Sequence, residues 1–254
     1  GLSVGIDSAL SATIAFDAIG AENVSGVMMP SQFTSQDSLE DAADIAQKLG
    51  LHYSITPISE LVENFMGLLP NTSGLAHENL QARLRGLILM TLSNQTGAMV
   101  LTTGNKSEMA TGYATLYGDM CGGYNVLKDI YKTQVYNLAR WRNTSKPIDT
   151  KGHDGILINE RTITKAPTAE LRAGQIDQDN LPPYDELDQI LTGLVESEMG
   201  ITQMVERGFD KATVKKVALL LKISEFKRRQ SALGPKVSSR AFTRERRYPI
   251  ANGF

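Results

Sequence analysis

The chain begins Gly1-Leu2-Ser3-Val4-Gly5-Ile6-Asp7-Ser8-Ala9-Leu10, and the fold is decided by how this stretch is read. Small residues at Ser3 and Gly5 let backbone N–H groups come close to phosphate oxygens. The alanine-rich apolar run that follows reads as a helix over residues 8–18, with the loop at its N-terminus. There the helix dipole and unpaired N–H groups favour an anion. Ser3 and Ser8 add hydroxyl donors. Asp7 would repel bare phosphate, but it suits a Mg²⁺ ion that travels with pyrophosphate. An ordinary turn and N-cap explains Asp and Ser here equally well.

A loop of this kind normally follows a hydrophobic strand, so the first strand of the sheet is expected upstream of Gly1. Downstream, helices and short apolar strands alternate. A strand over residues 24–29 ends at Pro30, a helix spans 37–49 and a strand 53–58, and a long helix over 78–96 leads to a strand over 98–102. This alternation argues for an α/β fold with a parallel sheet flanked by helices, and ligands belong at the carboxyl ends of its strands. The polar, glycine-bearing segments 31–38 and 102–108 fall at those ends. Residues 143–161, with Pro147, Gly152 and Gly155, read as a mobile loop. Leu181-Pro182-Pro183-Tyr184 precedes a helix from Asp185, and a basic helical stretch covers 211–229. One domain over residues 1–254, with a helical C-terminal extension, is the expected organisation.

At 254 residues and 41% hydrophobic content, the chain is long enough to bury a full core. A net charge of −2 argues against nucleic acid or an anionic membrane as partner. The single cysteine, Cys121, rules out an intrachain disulfide framework and fits the cytoplasm. No apolar run approaches the ~18 residues that span a bilayer. His52, His77 and His153 match no metal-ligand spacing, and the basic residues between 222 and 247 lack the interleaved aromatics of a nucleic-acid surface.

Candidate chemistry lies at strand ends. Glu108 follows a strand and opens a helix, as Asp7 does, so a parallel sheet would bring both carboxylates to one edge. Alone, Glu108 reads as a first-turn acid complementing the helix dipole, and Thr103 as a strand-end hydroxyl in a turn. Lys132 opens a helix, where a cation is misplaced unless an anion is near. Residues 119–124 are glycine-rich and read as a lid or a plain loop. Residues 165–171 read as a turn into a helix that Thr168 can cap.

Together these segments resemble NAD synthetase, specifically the synthetase portion of the glutamine-dependent form, within the ATP-pyrophosphatase superfamily. The resemblance runs over essentially the whole chain. Its more specific blocks are Gly104-Asn105-Lys106-Ser107-Glu108 and Leu116-Tyr117-Gly118-Asp119-Met120, and it also draws on residues 78–83, 167–172, 181–184, 225–230 and 246–250.

The resemblance implies an adenine nucleotide alpha hydrolase-like fold and a ligase forming a carbon–nitrogen bond in NAD biosynthesis. Deamido-NAD would be amidated to NAD through an acyl-adenylate, releasing AMP and pyrophosphate. It implies that Gly1, Leu2, Ser3, Val4, Gly5, Ile6, Asp7 and Ser8 hold the ATP phosphates, with Thr103, Lys132 and Thr168 also on ATP. Asp7 and Glu108 would hold Mg²⁺ and, with Lys132, carry the chemistry. Asn79, Glu108, Tyr113, Ala114, Thr115, Leu116 and Lys227 would contact deamido-NAD. A homodimer is implied, with the apolar helix 78–96 at its interface, and ammonia would come from a glutaminase domain or partner absent from this sequence. Val4 departs from the family's glycine and is expected to strain or crowd the loop. The alternative reading is a nucleotide-binding but catalytically impaired fragment or pseudo-enzyme.

Overall fold

The computed structural model describes residues 1–3, 5–243 and 245–251. Val4, and the crowding expected of it, lie outside the described residues. Helix α1 (Ile6–Ile19) starts directly after Gly5, whose backbone is extended (φ −63°, ψ 150°). Ile6, Ala9, Leu10 and Phe16 are buried on it, and so are Ser8, Ser11 and Thr13. A helix with so little polar surface belongs in a core. It stops at Gly20, whose φ of 87° a side chain would resist.

Strand β1 (Ser25–Met28), helix α2 (Gln36–Leu49) and strand β2 (His52–Ile55) follow. The two strands are parallel, with Ser25 opposite His52 and Met28 opposite Ile55. On the β2 side, Met28 O accepts from Thr56 N at 2.8 Å. Consecutive carbonyls of a strand point to opposite edges, so Val27 O faces the other way, and it accepts from Leu2 N at 2.9 Å. Leu2 therefore sits on the far edge of β1. The side chains of β1 alternate between cores, as the period of a strand requires. Met28 packs among residues such as Leu10 of α1, Ile45 of α2 and Val135, whereas Val27 and the following Met29 join Ile58, Val62 and Leu84.

Next come α3 (Ser59–Leu68), α4 (Leu75–Thr96), β3 (Leu101–Thr102), α5 (Lys106–Thr111), β4 (Tyr124–Asn125) and α6 (Lys132–Thr144). Strands β3 and β4 are parallel, with Leu101 opposite Tyr124. The chain then runs through α7 (Glu160–Thr164), α8 (Tyr184–Leu191) with a π-helical turn at Thr192–Glu196, α9 (Ile201–Glu206), α10 (Lys211–Ile223) and α11 (Glu225–Arg228). Leu187, Ile190, Val195, Val214 and Val217 of this helical part pack on Met109 and Ala110 of α5. The parallel α/β reading thus holds. Among the described residues no helix is long and apolar enough to cross a membrane.

Several expectations change. The strands are shorter than their apolar runs. After Ile55, Ile58 N still donates to Pro30 O (2.9 Å), but Pro57 between them has no N–H, so the ladder lapses. Helix α3 was not anticipated, although Leu61, Val62, Phe65, Met66 and Leu68 recur at helical spacing along it; of its residues only Val62 is buried. The loop expected at 143–161 is shortened by α6 and α7, and it is tied down. Asn143 accepts from Leu157 N and Ile158 N, and Arg142 forms a two-pronged ion pair with Asp17. No helix follows Thr168. Its hydroxyl accepts from Glu170 N at 3.2 Å in a local turn, and Glu170 sits at φ 48°, which a helix cannot continue through.

Candidate active site

A cavity of about 250 Å³ opens where α1 begins and β1 and β3 end. Gly1, Leu2, Ser3, Gly5, Ile6, Asp7 and Ser8 line it, together with Thr103, Glu108, Lys132 and Thr168. Ser8 Oγ donates to Gly5 O (3.0 Å), fixing the turn at the mouth of α1.

Asp7, in the first turn of α1, is buried. One carboxylate oxygen accepts from Asn105 Nδ2 at 2.8 Å, and the other is ion-paired with Lys132 Nζ. Glu108 Oε1 lies 4.0 Å from the same ammonium. The cation at the start of α6 thus has its anions, supplied by α1 and α5. Burial pushes the Glu108 carboxyl well above its ordinary range, and the charge of Asp7 adds to this against the pull of Lys132. For Lys132 burial acts the other way, but Asp7 and Glu108 outweigh it and its pKa is raised. Tyr184 and Tyr136 flank the ammonium with ring centroids at 5.4 and 6.0 Å.

Every side chain of Asn105-Lys106-Ser107-Glu108 is engaged. Asn105 caps α5: Oδ1 accepts from Glu108 N (3.0 Å), and its own N–H donates to Glu108 Oε2 (3.1 Å). Lys106 is fully buried, and its ammonium meets Asp129 and Glu196 at 2.8 and 3.0 Å, Ser238 Oγ at 2.7 Å and Arg240 O at 2.9 Å. This pins the C-terminal segment beneath the site. Ser107 Oγ donates to Asp188 and accepts from Lys132 N at 3.0 Å, while the second Asp188 oxygen takes Thr133 N at 2.9 Å.

The residues expected on the larger substrate gather beside this cavity. Tyr113 and Ala114 are in its wall, whereas Asn79, Thr115, Leu116 and Lys227 are not. Thr115 Oγ1 donates to Asn79 Oδ1 (2.8 Å), and Lys227 Nζ donates to the carbonyls of Gly112 and Ala114, both at 2.7 Å. The turn passes so close to α4 that a Cβ on Gly118 would lie 2.9 Å from the Ala82 backbone. A strap over residues 165–177 borders the cavity. Glu170 accepts from Ser35 (3.0 Å), Ser38 (2.8 Å) and Lys165 (3.0 Å), and Leu171 O accepts from Gln81 Nε2 at 2.8 Å.

Sequence reasoning passed over Asp177, Tyr184 and Asp188. Asp177 is, like Asp7, a buried carboxylate in the cavity wall. Burial raises its pKa even though it accepts from Tyr184 Oη at 2.8 Å. None of the three sits at a strand end, so alternation alone does not flag them. Of the three, only Tyr184 falls in a segment the sequence had singled out, Leu181-Pro182-Pro183-Tyr184.

Two parallel strand pairs, β1–β2 and β3–β4, whose carboxyl ends open on a cavity at the start of a buried helix define an α/β nucleotide-binding fold. A family model described as NAD synthase matches residues 1–231. A glutamine-dependent NAD(+) synthetase of Rhodobacter capsulatus is 53% identical over 260 residues, covering 99% of this chain and 47% of that protein. The chain belongs to the NAD synthase family. The structure of glutamine-dependent NAD+ synthetase from Acinetobacter baumannii in complex with ADP is 49% identical, with a TM-score of 0.61 over 100% of this chain and 45% of that one. NMN synthetase from Francisella tularensis is 26% identical, with a TM-score of 0.74 over 93% and 88% of the two chains. The chain spans about half the length of the glutamine-dependent relatives it matches.

Proposed function

We propose that this chain performs the amide-forming reaction of a NAD synthetase, converting the nicotinate carboxylate of deamido-NAD to the carboxamide of NAD at the expense of ATP. The observation that carries this is the Lys132 ammonium held against Asp7 and near Glu108 in the cavity wall at the mouth of α1. A carboxylate is a poor acyl donor until its oxygen becomes part of a good leaving group. In the proposed first step the carboxylate oxygen attacks the α-phosphorus of ATP, the bond to the β-phosphate bridging oxygen breaks, and pyrophosphate leaves. In the second, the ammonia lone pair attacks the acyl carbon, the bond to AMP breaks, and a proton is released. Neither step needs a side-chain nucleophile. Both need positioning and a charged frame for the departing phosphate, which Lys132 and the start of α1 offer.

Magnesium fits the donor set. Asp7 and Glu108 present hard carboxylate oxygens to one cavity, and Mg²⁺ is commonly held by one or two carboxylates, with phosphates and water completing its shell. Among the described residues no cluster of three or more His, Cys, Asp or Glu is arranged to hold a metal ion. When bound, the ion would neutralise phosphate charge. Thr103 and Thr168 are proposed to touch ATP, and Asn79, the turn at Tyr113, Ala114, Thr115 and Leu116, and Lys227 to receive deamido-NAD.

The proposed nitrogen donor is ammonia, delivered from glutamine by a glutaminase unit in the longer relatives' manner. A homodimer is also proposed. Leu68, Leu69, Leu75 and Leu87 on and around α3 and α4 are 58–76% exposed, an apolar surface that a second copy would cover. The function is tested with the purified chain, ATP, deamido-NAD and ammonium chloride. NAD, AMP and pyrophosphate in equal amounts support it. ATP binding without pyrophosphate release would instead indicate a nucleotide-binding but impaired protein.

A further inference from the structure

We propose that Asn105 is the positioning residue that sets the two carboxylates of the site, Asp7 and Glu108, at the spacing a divalent cation with its nucleotide requires. The inference rests on the metal–nucleotide reading above and adds a residue to it. Asn105 is fully buried between α1 and α5 and donates to both acids: its amide Nδ2 to Asp7 Oδ1 at 2.8 Å, and its backbone N–H to Glu108 Oε2 at 3.1 Å. Its remaining groups are committed too. Oδ1 accepts from Glu108 N at 3.0 Å, and its carbonyl accepts from Met109 N, also at 3.0 Å.

The amide orientation is forced. A backbone N–H must meet oxygen, and a carboxylate must meet the NH₂ group, so Oδ1 faces Glu108 N and Nδ2 faces Asp7. Capping α5 does not by itself demand asparagine, because Asp, Ser and Thr cap helices as well. What asparagine adds is the donor to Asp7. Lys132 attracts both carboxylates, but a single ammonium leaves like charges free to rotate away from each other around it. Asn105 closes the frame from the opposite side, joining positions 98 residues apart in the chain.

The test compares Asn105→Ser and Asn105→Thr, both of which keep a capping oxygen and lose the amide NH₂ that reaches Asp7, their single short hydroxyl being taken up at the cap. The readout is the affinity for a non-hydrolysable ATP analogue by calorimetry, with Mg²⁺ and with EDTA, in protein shown to be folded by circular dichroism. The expected result is that the ratio of the two affinities falls about tenfold, as for loss of one charge-assisted hydrogen bond. A merely structural role would weaken both affinities alike and leave the ratio intact, which overturns the proposal. In an Asp7→Asn background, Asn105→Ser should leave the ratio where Asp7→Asn alone puts it, because the two act as one unit; a further fall of similar size overturns the coupling. If Asp7→Asn alone leaves the wild-type ratio, the metal reading fails and the inference falls with it. If Asp7→Asn lowers the ratio and neither Asn105 variant does, the inference alone fails.

Discussion

Lys132, the first residue of α6, is ion-paired with Asp7 in the first turn of α1, although 125 positions separate them in sequence. Their side chains are 3% and 12% exposed, so the pair is withdrawn from water. Breaking such a pair costs more than forming it gains, because the remaining charge stays buried. Lys132→Met leaves Asp7 and Glu108 without their cation. It is expected to lower unfolding free energy by about 3–5 kcal/mol in urea titrations and to abolish pyrophosphate release. A stability change within experimental error would show that the pair is not held in solution.

Glu108 gives the protein a signed pH dependence. Its folded pKa is raised above the unfolded value, chiefly by burial and then by Asp7. Between the unfolded carboxyl value, about 4.3, and the raised folded value, the native state binds more protons. Glu108's contribution is therefore fully present at low pH and is lost as pH rises through its folded pKa. Glu108→Gln removes this loss while keeping an oxygen for Asn105 N–H. The variant should show a shallower decline in stability from pH 5 to pH 8 than the parent, with little or no activity. An unchanged slope in denaturant unfolding would contradict the assignment.

The sequence made the frame of the site visible because its parts carry local signals. Asp7 and Glu108 each open a helix, and Lys132 is a cation where the dipole disfavours one, so each position asked for a partner. The partners themselves were not visible. Asp188 reaches Ser107 across 81 positions and Lys106 reaches Arg240 across 134, and no local pattern encodes such pairs. The expected helix after Thr168 failed for a related reason. A turn hydroxyl and a helix cap look alike in sequence, and here Glu170 is held by contacts to Ser35 and Ser38 from a distant loop and helix. Pro30 was legible as a break, but Pro57 lies inside the strand expected over residues 53–58, and residues 98–100 ahead of β3 read as strand although Ala98 and Met99 are exposed.

The strap over residues 165–177 is expected to open locally. Its latch is the part-exposed Lys165–Glu170 pair at 3.0 Å with Ser35 and the buried Ser38, a few local contacts that contribute little to global stability. Lys165→Ala should therefore leave the thermal midpoint nearly unchanged while accelerating proteolytic cleavage within the strap several-fold. Saturating ATP and deamido-NAD should slow that cleavage in the parent. Equal cleavage rates in both proteins would show that the latch does not hold the strap.

The exposed apolar surface of α3 and α4 leads to a mass prediction. Leu87 is 63% exposed on α4, next to half-buried Ile88 and Leu89 that pack inward on Val27 and Met29. Static light scattering at micromolar concentration should give twice the chain mass of 27.7 kDa, and Leu87→Glu should shift it toward the monomer. A monomeric mass for the parent would sink the dimer proposal.

Asp188 separates the role of Lys132's charge from that of its placement. The carboxylate accepts from Ser107 Oγ with one oxygen and from Thr133 N with the other, and Ser107 Oγ in turn accepts from Lys132 N at 3.0 Å. The start of α6 is thus aimed by a buried acid on α8 that does not line the cavity. Asp188→Asn keeps one acceptor and turns the other into a donor facing the Thr133 N–H or the Ser107 hydroxyl. The expected cost is about 1–3 kcal/mol for an unsatisfied buried group, read from urea unfolding. Because Lys132 keeps its charge, kcat should fall by roughly one to two orders of magnitude, as for a misplaced group, and less than in Lys132→Met. Asp188→Ala, which leaves both donors orphaned, should be worse than Asp188→Asn in both stability and kcat. If Asp188→Asn loses stability but keeps the parent's kcat, the acid only holds helices together and Lys132 is aimed by other contacts.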